Sequence, residues 1–417
     1  MTLIGLDDTD SREQGMCTTY LAARVAERIR EAGGAVERSV LVRLNPAIEH
    51  KTRGNAALCI HTDLDVESAF AIVCETVDSF AVTDDSRTNP GVVVASEVSK
   101  SVIDFARRAV CERLTLDEAR TYIESSEYRY AGWKNSRGVI GALAAVGAWQ
   151  AFGDWTYECI TYREAHRRGT PREIDHDSVF AAADWGYPTV WDTVDRGERD
   201  SVCVPHAPGP ILYGIRGDDS EAVQEVTDRI ESEPTERTEL FVTNQGTDAH
   251  LQNGTVESVY NGRAYRLDGT VSTPPETRRG GHVFFTLGDN GTLQCAAFEP
   301  TKRFRERIRA LRVGDRLTVC GEVSDGTLKL EKFAVRGLNT TELVVPECPE
   351  CERSMESAGR GQGYRCRDCG TSEPGKIERE IERNLEIGWY EVPPCARRHI
   401  AKPLVRGGFD APTHPER

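Results

Sequence analysis

The sequence predicts a multidomain α+β protein, on three observations. Helical and strand periods alternate over the first 130 residues, short alternating strands with turn signals replace them from about residue 250, and two Cys-x2-Cys pairs follow. A chain of 417 residues has room for three or four domains.

Residues 2–6 read as an apolar strand that ends in Asp7, Asp8 and Asp10. An amphipathic helix at 17–32 is stopped by Gly33-Gly34, and strands at 38–44 and 56–61 precede a helix at 65–80. A polar helical stretch at 116–127 is followed by Trp133 to Gly138 and the small-residue run Ile140 to Ala148. A helix so rich in Ala and Gly packs closely against a sheet. Strands at 155–163, 201–206 and 211–216, with a helix near 219–231, suit a second, small α+β unit.

In the third part, Asp289-Asn290-Gly291 is a hairpin turn joining His282–Leu287 to Thr292–Phe298. A basic helical segment from Lys302 to Arg312 and strands at 316–323 and 327–335 complete the order of a five-stranded OB barrel. Such barrels bind single-stranded nucleic acid by stacking bases on aromatics in a basic groove. Phe284, Phe285, Phe298, Lys302, Arg303 and Arg305 are the groove candidates, although Phe at alternating strand positions also serves as core.

Chemistry concentrates at the first strand. Asp7, Asp8 and Asp10 offer the hard oxygens that hold magnesium beside nucleotide phosphates. Thr18 and Thr19 open the next helix, whose free N–H groups and positive dipole end attract phosphate. Asp and Thr are equally suited to capping a helix without further function. The loop carrying Arg43, Lys51, Arg53 and Asn55 could spread charge off transferring phosphoryl oxygens, and Lys134 with Arg137 stands before a helix N-terminus. No Walker A loop, GxGxxG fingerprint or nucleophile elbow occurs. Cys348, Cys351, Cys366 and Cys369 have the spacing of a closed, structural zinc site. Arg397, Arg398 and Lys402 make a tail strip that suits phosphates or simply solvent.

The net charge is −15, and only eight of the 52 basic residues are lysine. Acidity with arginine in place of lysine points to a salt-adapted organism, where a Debye length of about 3 Å at molar salt removes long-range repulsion from nucleic acid. Neither a secretory signal nor a bilayer-length apolar run stands out, so a soluble, cytoplasmic protein with no membrane partner is expected. The nine cysteines outside the paired motifs then read as buried thiols rather than disulfides.

These motifs, in this order, resemble the archaeal tRNA(Ile) agmatinylcytidine synthetase family, TiaS. The resemblance runs through Gly5-Leu-Asp-Asp-Thr-Asp-Ser, Gly15-Met-Cys-Thr-Thr-Tyr-Leu, Arg43-Leu-Asn-Pro, Lys51-Thr-Arg-Gly-Asn and Asn89-Pro-Gly-Val-Val-Val. It continues through Arg137-Gly-Val-Ile-Gly-Ala, Thr156 to Arg163, Gly214-Ile-Arg-Gly, the OB region and the zinc ribbon. It implies a kinase-like catalytic domain at 1–130, a ferredoxin-like domain at 131–248, the OB fold at 249–342, and the ribbon with its basic tail at 343–417. It also implies an ATP-dependent ligase that joins agmatine to C2 of the wobble cytidine of a CAU-anticodon isoleucine tRNA, through a phosphorylated cytidine. ATP, magnesium and structural zinc are the implied cofactors, with no obligatory protein partner. Asp7, Asp8 and Asp10 would hold magnesium and triphosphate with help from Thr9, and Thr18 matches the family's phosphorylated threonine. Agmatine's guanidinium calls for a carboxylate, and Glu158 or Asp154 could supply it, with Asn89 and Arg216 nearby in the substrate region.

Two departures stand out: Ser136 where glycine is common, and His206-Ala-Pro-Gly-Pro where a carboxylate is usual. Two readings compete with this one. One is a non-catalytic single-strand-binding protein in which barrel and ribbon do the work; the other is an RNA-modifying enzyme using a different amine or base.

Overall fold

The computed structural model describes residues 1–11, 15–48 and 54–417. Its N-terminal part is one nine-stranded sheet made from two β-α-β-β-α-β units. The first comprises β1 (Thr2–Asp7), α1 (Thr18–Glu31), β2 (Val36–Arg43), β3 (Ala56–Thr62), α2 (Val66–Phe80) and β4 (Gly91–Ala95), in the antiparallel order β4-β1-β3-β2. Helices α3 (Lys100–Cys111) and α4 (Leu116–Ser125) follow, then β5 (Arg129–Gly132) against β4 and the helix α5 (Gly138–Ala151). The second unit comprises β6 (Thr156–Arg163), α6 (His176–Gly186), β7 (Val190–Trp191), β8 (Ile211–Gly217), α7 (Ser220–Asp228) and β9 (Thr235–Thr243), in the order β9-β6-β8-β7. A short parallel pairing of β2 with β9, Val40 opposite Val242 and Leu41 opposite Thr243, fuses the two.

Strand alternation sorts the core onto two faces. Leu3, Val93 and Ala95 pack under α3, α4 and α5, while Ile4, Leu6, Val92 and Val94 pack under α1 and α2. The Ala/Gly-rich α5 lies as close to the sheet as its composition predicts. A Cβ on Gly91 would stand 1.9 Å from the Val139 nitrogen.

The second sheet contains β10 (Leu251–Asn253), β11 (Arg263–Val271), β12 (Glu276–Thr277), β13 (Val283–Gly288), β14 (Thr292–Ala297), β15 (Arg316–Ser324) and β16 (Thr327–Gly337). It closes in the circuit β11-β13-β14-β16-β15-β11, with β14 and β16 parallel and α8 (Phe304–Arg309) between β14 and β15. That is the OB circuit. Leu267, Phe285, Phe304 and Phe333 fill it.

Beyond the barrel, β17 (Thr341–Val344) pairs with a later strand across a ribbon formed by β18 (Glu356–Ser357), β19 (Tyr364–Arg365) and β20 (Ser372–Glu373). That later strand is β21 (Ile377–Glu380). The chain then returns to the barrel, adding β22 (Gly388–Glu391) to β16 and β23 (Thr413–His414) to β22.

Two expected elements change. Residues 201–206 are turns, because Pro205, Pro208 and Pro210 remove ladder donors across that segment. The helix expected over 302–312 shrinks to α8, since Pro300 lies upstream and Lys302 takes a left-handed backbone, φ 50°. Among the described residues no helix is long and apolar enough to cross a membrane.

Candidate functional site

Strand β1 runs out at Asp7, and Asp8 turns the chain with φ 56°. The Asp8 N–H donates to Asp7 Oδ1 at 2.6 Å, and Arg137 clasps Asp8 Oδ2 through Nη2 (2.7 Å) and Nε (3.1 Å). Asp10 Oδ1 receives the backbone N–H of Thr18, and the Thr18 hydroxyl donates to the same oxygen at 2.8 Å. The buried Thr9 hydroxyl donates to Thr18 Oγ1 at 3.1 Å. A carboxylate and a hydroxyl are thus held in the arrangement of a base with its nucleophile.

Burial raises the Asp7 carboxyl well above the usual carboxylate range, and the Asp8 charge raises it further. Burial also lifts Asp8, to about 6, although Arg137 pulls the other way. Two desolvated carboxylates side by side form a donor set that a hard divalent cation relieves, so Asp7 and Asp8 fit magnesium. Glycine at 141 makes the space: a Cβ there would stand 1.9 Å from Asp7 Oδ2.

A cavity of about 410 Å³ opens over this cluster, lined by Asp7, Asp8, Asp10, Thr18, Asn55 and Arg137. A second, of about 340 Å³, is lined by Arg43, Glu158, Cys203, His206, Arg216 and His399. Asp10, Thr18, Gly54 and Ala56 belong to both. In the second cavity Glu158 Oε2 accepts from Gln245 Nε2, while Arg43 Nη2 and Arg216 Nε stand 3.9 and 4.0 Å from its oxygens.

Asn89 and Lys134 line neither cavity. Asn89 is buried behind Asp8, its carbonyl accepting the Gly138 N–H at 2.9 Å, and Lys134 Nζ donates to the Asp85 carbonyl. Asp154 lies outside both cavities, paired with Arg406. Lys51 and Arg53 lie outside the described residues.

The barrel's expected RNA face is divided. Phe285 is 2% exposed in the barrel core, which corrects its nomination for stacking: its side chain alternates inward along β13. Phe284 and Phe298 meet edge to face at 6.0 Å on the outer side, with the Arg278 guanidinium 4.1 Å above Phe284. Arg303 bonds Asp195 and Glu416, Lys302 stands 3.8 Å from Glu198, and Arg305 donates to the Gly281 carbonyl. Arg397 lines the second cavity and is buried there, ion-paired with Asp192 and Glu391. Arg398 pairs with Glu322 and Glu331, and Lys402 Nζ lies 5.4 Å from the Phe409 ring.

At the ribbon, the ligand atoms of Cys348, Cys351, Cys366 and Cys369 all lie within 4.8 Å of one another, and Cys351 and Cys366 sulfurs are 3.6 Å apart. Tetrahedral Zn–S bonds of about 2.3 Å place sulfurs about 3.8 Å apart, so the four thiols fit zinc.

Comparison with known proteins decides the family. Models of the TiaS TCKD domain match residues 3–63 and 61–135, the TiaS FLD domain residues 136–250, and the TiaS C-terminal zinc ribbon domain residues 345–385. The isoleucine-tRNA 2-agmatinylcytidine synthetase TiaS of Haloquadratum walsbyi is 55% identical, with all of both chains covered. The chain belongs to the TiaS family. TiaS of Methanosarcina acetivorans is 45% identical over 97% of each chain. The crystal structure of a TiaS complex with its isoleucine tRNA and ATP superposes with a TM-score of 0.91 at 43% identity, covering 100% of this chain and 99% of that one. For a TiaS complex with the same tRNA, AMPCPP and agmatine the values are 0.88, 41%, 100% and 99%.

Sequence reasoning missed part of the second cavity. Cys203 arrives from a turn, and Pro394 to His399 arrive from the far C-terminus. The clustered prolines at 205–210 signalled a rigid turn, but no local signal links the tail to the N-terminal sheet.

Proposed function

We propose that this chain is an ATP-dependent ligase that conjugates agmatine to C2 of the wobble cytidine of the AUA-decoding isoleucine tRNA, through a phosphorylated cytidine, in the cytoplasm. The observation that carries this is the shared wall: Asp10 and Thr18 face both the cavity over the carboxylate cluster and the cavity holding Glu158, Arg43 and Arg216. A hydroxyl at that wall can take a phosphoryl group on one side and stand beside a second substrate on the other.

The triphosphate belongs in the first cavity, flanked by Arg137 and Asn55; Asp7 and Asp8 would hold a magnesium ion there, which would supply charge neutralisation. Asp10 draws the proton from Thr18, and Thr9 holds the hydroxyl in line. A ring carbonyl oxygen is a poor leaving group until phosphorylated, so activation precedes amine attack. The activated base must also be kept from water, which an enclosed pocket for a flipped nucleotide provides. Glu158 in the second cavity is the carboxylate we assign to the guanidinium, and Arg43 and Arg216, which line the same cavity, are assigned to the transferring phosphate. The barrel offers Phe284 and Phe298 to RNA bases, and the zinc ribbon extends that surface. Residues 1–130, 131–248, 249–342 and 343–417 are taken as the catalytic, ferredoxin-like, OB and ribbon units.

The test is a reaction of the purified protein with the CAU-anticodon isoleucine tRNA, ATP and agmatine, followed by mass spectrometry of the wobble nucleoside. Agmatidine should form only when all three are present, and Asp8→Ala should abolish it with the fold intact. Unmodified cytidine from the wild-type protein would refute the proposal.

A further inference from the structure

His399 lines the second cavity and has no task in the reading above. It stands on a strap, residues 394–402, fastened on every side. Arg397 is buried against Asp192 and Glu391, Arg398 is paired with Glu322 and Glu331, and the Ile400 carbonyl accepts the N–H groups of Thr247 and Asp248. The His399 carbonyl itself accepts the Gly246 N–H at 2.8 Å, next to the Gln245 that holds Glu158. The imidazole is the opposite case. It is exposed to the cavity, and among the described residues no hydrogen bond ends on either ring nitrogen. A rigid strap presenting one unengaged imidazole to a substrate cavity is the geometry of a preorganised proton acceptor.

The chemistry of the cavity requires one. A primary alkylamine is an ammonium ion near neutral pH and carries no lone pair for attack. We propose that His399 accepts the proton that converts the bound ammonium to the free amine. The amine nitrogen then bonds to C2, the C2–O bond to phosphate breaks with its electron pair leaving on oxygen, and the second proton departs with that phosphate. Product, inorganic phosphate and one imidazolium balance the step.

The surrounding charges favour this. Desolvation and the guanidiniums of Arg43 and Arg216 lower the imidazole from the usual histidine value, so it stands as a neutral base. The same desolvation and the same two cations make the ammonium more acidic, which offsets the lowered basicity of the imidazole. Glu158 shares the cavity and is placed for the guanidinium end. His206 lines the same cavity from the proline turn and is the competing candidate.

The inference rests on the agmatine-conjugation reading, and the two half-reactions separate them. If the wild-type enzyme makes no agmatidine, that reading fails; the inference is judged on His399→Gln beside an active wild type. In H399Q, ATP-dependent phosphorylation of the tRNA should proceed, phosphorylated tRNA should accumulate, and amine transfer should fall roughly 100-fold. Added imidazole should restore part of the rate, and the defect should shrink with primary amines of lower basicity, which need less help to lose a proton. A loss shared by both half-reactions, a loss independent of amine basicity, or a full defect in H206Q with none in H399Q would overturn the proposal.

Discussion

A single oxygen decides much of this site. Asp10 Oδ1 takes both the N–H and the hydroxyl of Thr18, so one carboxylate fixes the first turn of α1 and is the proton acceptor the proposal calls for. Asp10→Asn separates these roles, because an amide oxygen can still accept from the Thr18 N–H but cannot take a proton from the hydroxyl. Agmatidine formation should drop by roughly 10²- to 10⁴-fold, the range typical of a lost general base. Thermal unfolding should be nearly unchanged, since the cap survives. A D10N enzyme with wild-type turnover would remove Asp10 from the chemistry. At this scale the sequence was most legible: Asp7, Asp8, Asp10, Thr18 and Arg137 meet around one cavity. Position along the chain said less about Phe284 and Phe285, because strand alternation gives opposite fates to neighbours and only the closed barrel tells which face is inside.

Among elements, α5 is one whose composition sets how closely it packs on the sheet. Its Gly and Ala residues let its first turns approach β1 and β4, which brings Arg137 to Asp8 and leaves room for the Asp7 carboxylate. Gly141→Ala pushes a methyl group into that carboxylate. It should cost about 1–3 kcal/mol in a urea titration, as overpacking does, and weaken nucleotide binding measured by calorimetry. Wild-type affinity in G141A would mean that the Asp7 rotamer is not what the cavity needs. The zinc ribbon makes a contrasting case, because its strands of two residues cannot stand alone. Metal analysis should find one zinc per chain held by the four thiols. Cys366→Ser should release it and expose residues 346–373 to protease, while the nucleotide site keeps its affinity. Periodicity revealed the helices that carry one apolar face and the hairpin at Asn290. It misread 201–206 as a strand, since prolines spoil a ladder that the apolar spacing alone suggests.

At the scale of the whole molecule, the parts are joined by buried ion pairs between residues far apart in sequence. Arg397 reaches Asp192 across 205 residues, Arg303 reaches Asp195, Lys332 bonds Asp248, and His250 Nε2 lies 2.9 Å from Glu331. No sequence period encodes such pairs, and the same arginines read locally as a phosphate strip. Their cost and benefit turn on charge. Burial pushes the Glu331 carboxyl up, yet His250, Arg398 and Lys332 outweigh it and hold it at about 2, against 4.5 unperturbed. A carboxyl with its folded value depressed stabilises the protein above its unfolded value and loses that contribution as pH falls through the folded one. The difference corresponds to about 3 kcal/mol, lost progressively from about pH 5 down to about pH 2. Glu331→Gln should therefore lower the urea midpoint at pH 7, and its gap from wild type should close as pH falls through that window. Because Glu331 is buried, the gap at pH 7 should persist in molar salt, where exposed pairs are screened. A gap that stays constant with pH would mean that Glu331 acts through packing, and that the joint between barrel, tail and N-terminal sheet does not depend on its charge.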